Sequence, residues 1–419
     1  MTASPAASVR PEPGGTTSSG VQPVPPAAAH RESRRRTALA LASLALGGVA
    51  FGTAEFASMG VLPSVASALA VSEPTAGRII SAYALGVVTG APVLAVLGSR
   101  TPRRSLLLAL TALLSVANVA SAAAPTLGVL VATRFVAGLP HGAFLGIAAT
   151  VAASLVPAER RGRAIAVVIL GLTIANVVAV PVSTAVGQHY GWRVTFAVAG
   201  LLGLLTLVAV RLALPSLPPG RLDTMTGELR ALRQGQVWLA IAVCVVGFGG
   251  MFAVYTYLSS TLTTVSGIPR AWVPAVLSLF GVGMAVGTVL GGRLADRSVT
   301  GTISLGLVAI AVVMAGFTGL VHHPATAVVG VFGIGMICMT PMPSVQARLM
   351  DVAADAPILG ASLVHSAANA ANASGAWAGG AVLSIGAGYP AIGWVGAAMA
   401  ATGVLLTHLT RKGDSDVHA

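Results

Sequence analysis

Twelve apolar runs, each long enough to cross roughly 30 Å of hydrocarbon, constrain this chain more than any other feature of its sequence. They lie near 37–62, 76–97, 105–124, 126–154, 163–187, 194–214, 236–260, 271–293, 301–320, 325–346, 357–385 and 390–410. In lipid a span must satisfy its own backbone N–H and C=O groups, so runs of this length are expected as helices. Composition agrees: 55% of the 419 residues are hydrophobic and 9% are charged, against roughly 25% charged in soluble proteins. A soluble fold of this size cannot hide so much apolar surface. The reading is an all-α membrane protein of twelve transmembrane helices.

The net charge of +12 does not point to nucleic acid, because the arginines are scattered through short loops and form no basic face. Lys412 is the only lysine, and it lacks the glycine-rich context of a phosphate-binding loop. Uphill work by such a chain would draw on an ion gradient, with no cofactor. Cys244 and Cys338 fall inside apolar runs and read as small core residues, not as a disulfide or a metal site.

Residues 1–36 are rich in Pro, Ala, Ser and Gly and read as a disordered tail. Arg34, Arg35 and Arg36 before an apolar run resemble a twin-arginine export signal, but the run continues past a signal core and eleven more follow. With the N-terminus inside, twenty of the twenty-four Lys and Arg fall on the cytoplasmic side, as the positive-inside rule demands. Both termini are therefore expected in the cytoplasm of a multi-pass protein of the inner (cytoplasmic) membrane.

The chain also repeats itself. A six-helix half (37–214) is followed by a polar cytoplasmic loop (215–235), a second half (236–410) and a short tail (411–419). Each half has a Gly-Arg turn after its second helix: Gly98, Arg100, Arg103 and Arg104 in the first, Gly292, Asp296 and Arg297 in the second. Each has a polar fifth helix in which an asparagine, Asn176 or Asn372, precedes a small residue by three places. Two pseudo-symmetric halves of this kind are the mark of transporters that rock about a site at the repeat interface.

Glu55 is the only acidic residue inside an apolar span. A charge at that depth costs at least about 2.5 kcal/mol, so it is expected to face a cavity or a partner and to carry a function. A carboxyl there suits a group that gains and loses a proton. Arg134 is the only basic residue deep in a span, and it opens a stripe on helix 4 with Gly138, Gly142 and Gly146. The glycines let a neighbouring helix come close. His141 lies two turns on, either a packing residue or a proton carrier. Gly283, Gly287 and Gly291 repeat the spacing on helix 8 and read as packing. Asn176, Asn369 and Asn372 either line a cavity or bridge helices. Tyr255, Tyr257 and Trp377, with Met251 and Phe252, could form an aromatic substrate wall.

The run Gly52-Thr53-Ala54-Glu55-Phe56, followed by Met59-Gly60-Val61-Leu62-Pro63, resembles the first-helix signature of the drug:proton antiporter family of the major facilitator superfamily. Further matches are Ala82 to Gly86, Gly90-Ala91-Pro92, Arg134 with Pro140 to Phe144, Val156-Pro157, Gly171 to Asn176, and Gly191-Trp192-Arg193. The similarity spans about residues 45–410 and is nearest to the chloramphenicol-resistance and arabinose-efflux-type permeases. It implies the major facilitator fold and proton-coupled efflux of a drug or sugar-like compound by a monomer. Two positions depart from the family pattern: the first Gly-Arg loop lacks an Asp, and Val180 stands where a Gly usually precedes Pro181. A symporter or uniporter on the same fold is the alternative. A membrane-embedded enzyme or sensor is the reading from another class, and it lacks convergent catalytic groups or a soluble domain.

Overall fold

The computed structural model describes residues 27–217, 234–353 and 357–417. It is all-α, and twelve long helical units follow the apolar runs. They are α1 (Ala27–Gly60), α2 (Arg78–Leu97), α3 (Arg103–Ala122), α4 (Leu127–Ser154), α5 (Ala158–Tyr190), α6 (Trp192–Ala213), α7 (Gly235–Thr256), α8 (Val273–Ala295), α9 (Val299–Leu320), α10 (Pro324–Val352), α11 (Pro357–Ser384) and α12 (Ala391–Val417). Eleven of these are long and apolar enough to cross a membrane. The remaining one, α11, has 28 residues but dilutes its hydropathy with His365, Ser366, Asn369, Asn372 and Ser374. It packs between α2 and α7, so these polar groups are screened from lipid by protein.

Both ends of the chain are more helical than expected. The first helix starts at Ala27, so the last ten residues of the segment read as a disordered tail are helical, and α12 runs on to Val417 through most of the segment read as a C-terminal tail. Most of the central loop, 218–233, lies outside the described residues.

Packing follows one pattern twice. In the first half α1 packs on α5 and α6, α2 on α4, and α3 on α6; in the second α7 packs on α11 and α12, α8 on α10, and α9 on α12. Small residues permit the approach: a Cβ at Gly138 would lie 2.1 Å from the Tyr83 carbonyl oxygen, and one at Gly287 would lie 2.1 Å from that of Met336. The leading helix of each half breaks near its end into a seven-residue helix, Leu62–Ala68 after α1 and Leu258–Thr264 after α7. Between the halves, α2 runs against α11 and α5 against α8. Cys244 and Cys338 are buried free thiols.

The end that carries the α1–α2, α7–α8 and α11–α12 connections is the one that the basic residues predict to face outward. There the halves are tied together. Glu73 Oε2 accepts hydrogen bonds from Ser260 (2.6 Å) and Tyr389 (3.1 Å), and the Arg270 guanidinium donates to Ser64.

Candidate functional site

Two breaks in helical regularity place polar groups at mid-bundle. Pro140 has no N–H to donate and divides α4 into Leu127–Gly138 and His141–Ser154. Arg134 thus sits near the end of one segment and His141 begins the next. In α5 the five residues Ala175–Ala179 form a π-helical turn, with Asn176 inside it. On α1 and α11 the helix is continuous, and spacing alone sets which residues face inward.

Glu55 is only 6% exposed, and its two oxygens meet two elements from different halves. Asn372 of α11 donates through Nδ2 to Oε1 at 3.2 Å, and His141 Nε2 of α4 lies 3.6 Å from Oε2. On its other side the imidazole meets α2, where Nδ1 lies 2.9 Å from the Tyr83 hydroxyl. Phe51, one turn before Glu55 on α1, packs its ring edge-on to His141 at 5.5 Å.

Arg134 is fully buried and does not pair directly with the Glu55 carboxylate. Its guanidinium donates to the carbonyl of Ala54 at 2.6 Å and to Asn118 Oδ1 at 3.3 Å. The cation lies 4.3 Å above the Tyr83 ring and 5.2 Å from that of Phe196. A positive charge over an aromatic face in a desolvated site is held by about 2 kcal/mol or more. Its Nε has no protein partner. The result is one connected cluster, Arg134–Tyr83–His141–Glu55–Asn372, built from α1, α2, α4 and α11. Such a cluster can hold a carboxyl in either protonation state: Asn372 and His141 offer donors to the anion, and Arg134 balances its charge from behind Tyr83.

The remaining residues divide by location. Tyr255 stacks on Phe280 at 4.3 Å and meets Phe56 edge-on at 5.9 Å, while Phe56 lies parallel to Phe252 at 6.5 Å. This aromatic layer joins α1, α7 and α8 beside Glu55. Asn176 and Asn369 are buried, and each donates its amide to the carbonyl four residues back, Leu172 at 3.0 Å and His365 at 3.2 Å. Tyr257 is buried nearer the outer end and donates to the Ala376 carbonyl at 3.2 Å. Trp377 stands apart: it is 72% exposed, on a recess lined by Pro74, Gly77, Arg78 and Ser81, away from the Glu55 cluster.

The turn residues lie at the opposite end of the bundle. Arg103 donates to Thr150 at 2.9 Å and Arg104 donates to the Arg211 carbonyl, tying α3 to α4 and α6. A Cβ at Gly98 would meet Leu106. Arg100, Asp296 and Arg297 are exposed, and a Cβ at Gly292 would meet nothing within 4 Å.

Tyr83, Asn118 and His365 belong to this constellation but do not stand out from the sequence as site residues. Tyr83 lies inside a motif segment and carries the visible signal of a phenol in a span. Asn118 sits in a highly apolar helix, where nothing local indicates that it bonds to an arginine.

A family profile described as the Major Facilitator Superfamily matches residues 44–361. The inner membrane transport protein YdhP of Escherichia coli (strain K12) is 40% identical over 372 residues, which is 89% of this chain and 96% of the relative. The chloramphenicol resistance protein of Streptomyces lividans is 34% identical, covering 80% of this chain and 87% of its own. Among solved structures, a D-xylose–proton symporter superposes with a TM-score of 0.71 at 18% identity, covering 88% of this chain and 96% of that one. At that identity the likeness concerns the fold alone.

Proposed function

This chain belongs to the Major Facilitator Superfamily and is a secondary transporter, and on that premise we propose that it exports a small organic compound across the inner membrane in exchange for protons. The observation that carries the proposal is the contact of Glu55 with both halves at once, through His141 on one side and Asn372 on the other. A carboxylate accepts from Asn372 and is balanced by Arg134. A protonated carboxyl loses its charge and much of its hold on both. Loading a proton therefore loosens a contact between the halves that must separate when the bundle rocks.

The aromatic layer of Phe56, Phe252, Tyr255 and Phe280 supplies the apolar wall for the compound. The names of the relatives support an inner-membrane location and a drug-like cargo such as chloramphenicol, with a sugar-like compound as the alternative. The two six-helix halves act as the moving bodies, the N- and C-termini lie in the cytoplasm, and the working unit is a monomer. The turns around Arg103 and Asp296 hold the cytoplasmic end together in the opposite state.

The test has two arms. A susceptibility panel that includes chloramphenicol and arabinose, on cells lacking and overproducing the protein, finds the compound. Proton flux induced by that compound in proteoliposomes then compares the native protein with Glu55→Gln. Loss of flux from an inserted, folded variant supports the reading; undiminished flux removes Glu55 from the mechanism.

A further inference from the structure

Among the described residues near the buried cluster, His365 is the imidazole that is partly exposed. Its ring centre lies 6.4 Å from that of His141, and it is partly exposed where Glu55 and His141 are buried. Its backbone is fixed on both sides. The next residue, Ser366, bonds to the Val88 carbonyl of α2 at 3.4 Å, and a Cβ on Gly142 of α4 would stand 3.3 Å from the His365 Cβ.

The spacing on α11 gives the position a direction. His365, Asn369 and Asn372 fall at i, i+4 and i+7, on one face of the helix. Asn372 holds Glu55, so His365 lies two turns, roughly 10 Å, closer to the end where α11 begins. Between them Asn369 and Asn372 each keep an amide oxygen that no protein donor reaches. Each amide has already turned its N–H toward an acceptor, Asn369 to a carbonyl and Asn372 to Glu55, so the free edge is the oxygen. Leaving a buried acceptor bare costs about 1–3 kcal/mol, which a bridging water recovers. The stripe therefore carries two acceptors without a protein partner, each able to bind a water, and it ends at an imidazole.

From this geometry we infer that His365 is a proton-carrying residue that exchanges protons between Glu55 and the cytoplasmic end of the bundle along the Asn369–Asn372 face of α11. The inference rests on Glu55 as the transported-proton site. A proton leaves the Glu55 carboxyl, passes through water held on the stripe and on His141, and is taken up by the His365 imidazole, which returns it to bulk water. No bond other than O–H and N–H is made or broken. The titratable and charged groups that face this route are Glu55 from α1, Tyr83 from α2, Arg134 and His141 from α4, and Tyr255 from α7. Arg348 and Asp351 lie at the inner end of α10.

The experiment needs no transported compound. In purified full-length protein in nanodiscs, a light-triggered pH jump is followed by the infrared carboxylic C=O band that Glu55→Gln removes. His365→Gln is expected to slow the protonation of Glu55 at least tenfold while leaving the midpoint of its titration unchanged. His365→Glu, which restores a titratable group, is expected to recover most of the rate. Asn369→Leu, which blocks the stripe and keeps the imidazole while giving up the bond to the His365 carbonyl, should slow it as well, and it keeps the test decisive should His365→Gln fold poorly. An unchanged rate in both His365→Gln and Asn369→Leu overturns the route and leaves Glu55 in place. A spectrum in which Glu55→Gln removes no titrating band overturns the Glu55 reading, and this inference with it.

Discussion

The hydroxyl of Ser278 donates to the carbonyl of Val177 at 2.9 Å, joining α8 of the second half to the π-helical turn of α5 in the first. The helical partner of that carbonyl would be the N–H four residues on, but position 181 is proline and has none. The same device recurs on the other seam between the halves. Pro92 frees the carbonyl of Val88, and Ser366 of α11 reaches it at 3.4 Å. A proline in each first-half seam thus exposes an acceptor, and a serine of the second half takes it. Removing the shorter bond by Ser278→Ala is expected to cost about 1–3 kcal/mol, since the Val177 carbonyl is left without a donor. Thermal unfolding in detergent measures the loss. In a Pro181→Ala background, where an N–H is available again, the same substitution should cost much less, and a double-mutant cycle reports the difference.

A second tie closes the outer end. Glu73 accepts from Ser260 and Tyr389, which belong to two different segments of the second half. Hydrogen bonds to a charged acceptor contribute about 1.5–3 kcal/mol, so Glu73→Ala should raise the population opened at that end by tenfold or more. Cysteine accessibility at Ser64 or Thr263 follows that population. The pH dependence has a definite sign. Burial, then the negative charge of Glu73 and the bond to it, push the Tyr389 phenol up to about 12 from its ordinary 10. Its share of the tie is complete below the ordinary tyrosine value and is lost as pH rises through about 12. Tyr389→Phe should remove a late-ionising component from the ultraviolet titration of the phenols and leave the accessibility flat across neutral pH.

Arg134 makes the third prediction. Its planar fork spans Ala54 and Asn118 while its face lies on Tyr83, a combination that a lysine ammonium cannot reproduce. Arg134→Lys should therefore behave more like a loss than a conservative change. Proton-driven transport is expected to fall at least tenfold in both Arg134→Lys and Arg134→Ala. Asn118→Leu, which removes one of the two hydrogen bonds, should fall less. Equal, undiminished transport in all three would separate Arg134 from the Glu55 cluster.

The distribution of these groups shows what the sequence makes legible. Glu55, Arg134 and His141 stand out because an ionisable residue deep in an apolar span is rare and costly. Helix number follows from run length, and glycines at four-residue spacing mark where a neighbouring helix comes close. The partners are harder to see. Arg134 and Glu55 lie at matching depths along α4 and α1, so that the two could meet or compete for a partner, and the guanidinium takes the carbonyl of Ala54. A choice between a carboxylate and a neighbouring carbonyl depends on an ångström of helix rotation that hydropathy cannot encode. Trp377 and Tyr255 are both aromatic and both inside a span, but only their position around the helix separates a surface ring from a buried one. The prolines at 92 and 181 are visible as helix breakers, whereas the serines that answer them lie on other helices.

Glycine substitution makes the last prediction, because the stripe on α4 is not uniform. A Cβ at Gly138 would sit 2.1 Å from the Tyr83 carbonyl oxygen and 3.1 Å from the Val87 nitrogen, both backbone atoms that cannot swing aside. A Cβ at Gly146, two turns on, would meet nothing within 4 Å. Gly138→Ala must push α4 away from α2, and overpacking of this kind costs about 1–3 kcal/mol. It also moves the backbone of Tyr83, whose hydroxyl holds His141 and whose ring carries Arg134. Gly146→Ala adds no clash and gains up to about 1 kcal/mol of helix propensity. The two substitutions are chemically identical and should shift the melting temperature in opposite directions, with proton-coupled transport lowered only in Gly138→Ala. Equal losses at both sites would mean that α4 approaches a neighbour along its whole length, contrary to the open space around Gly146.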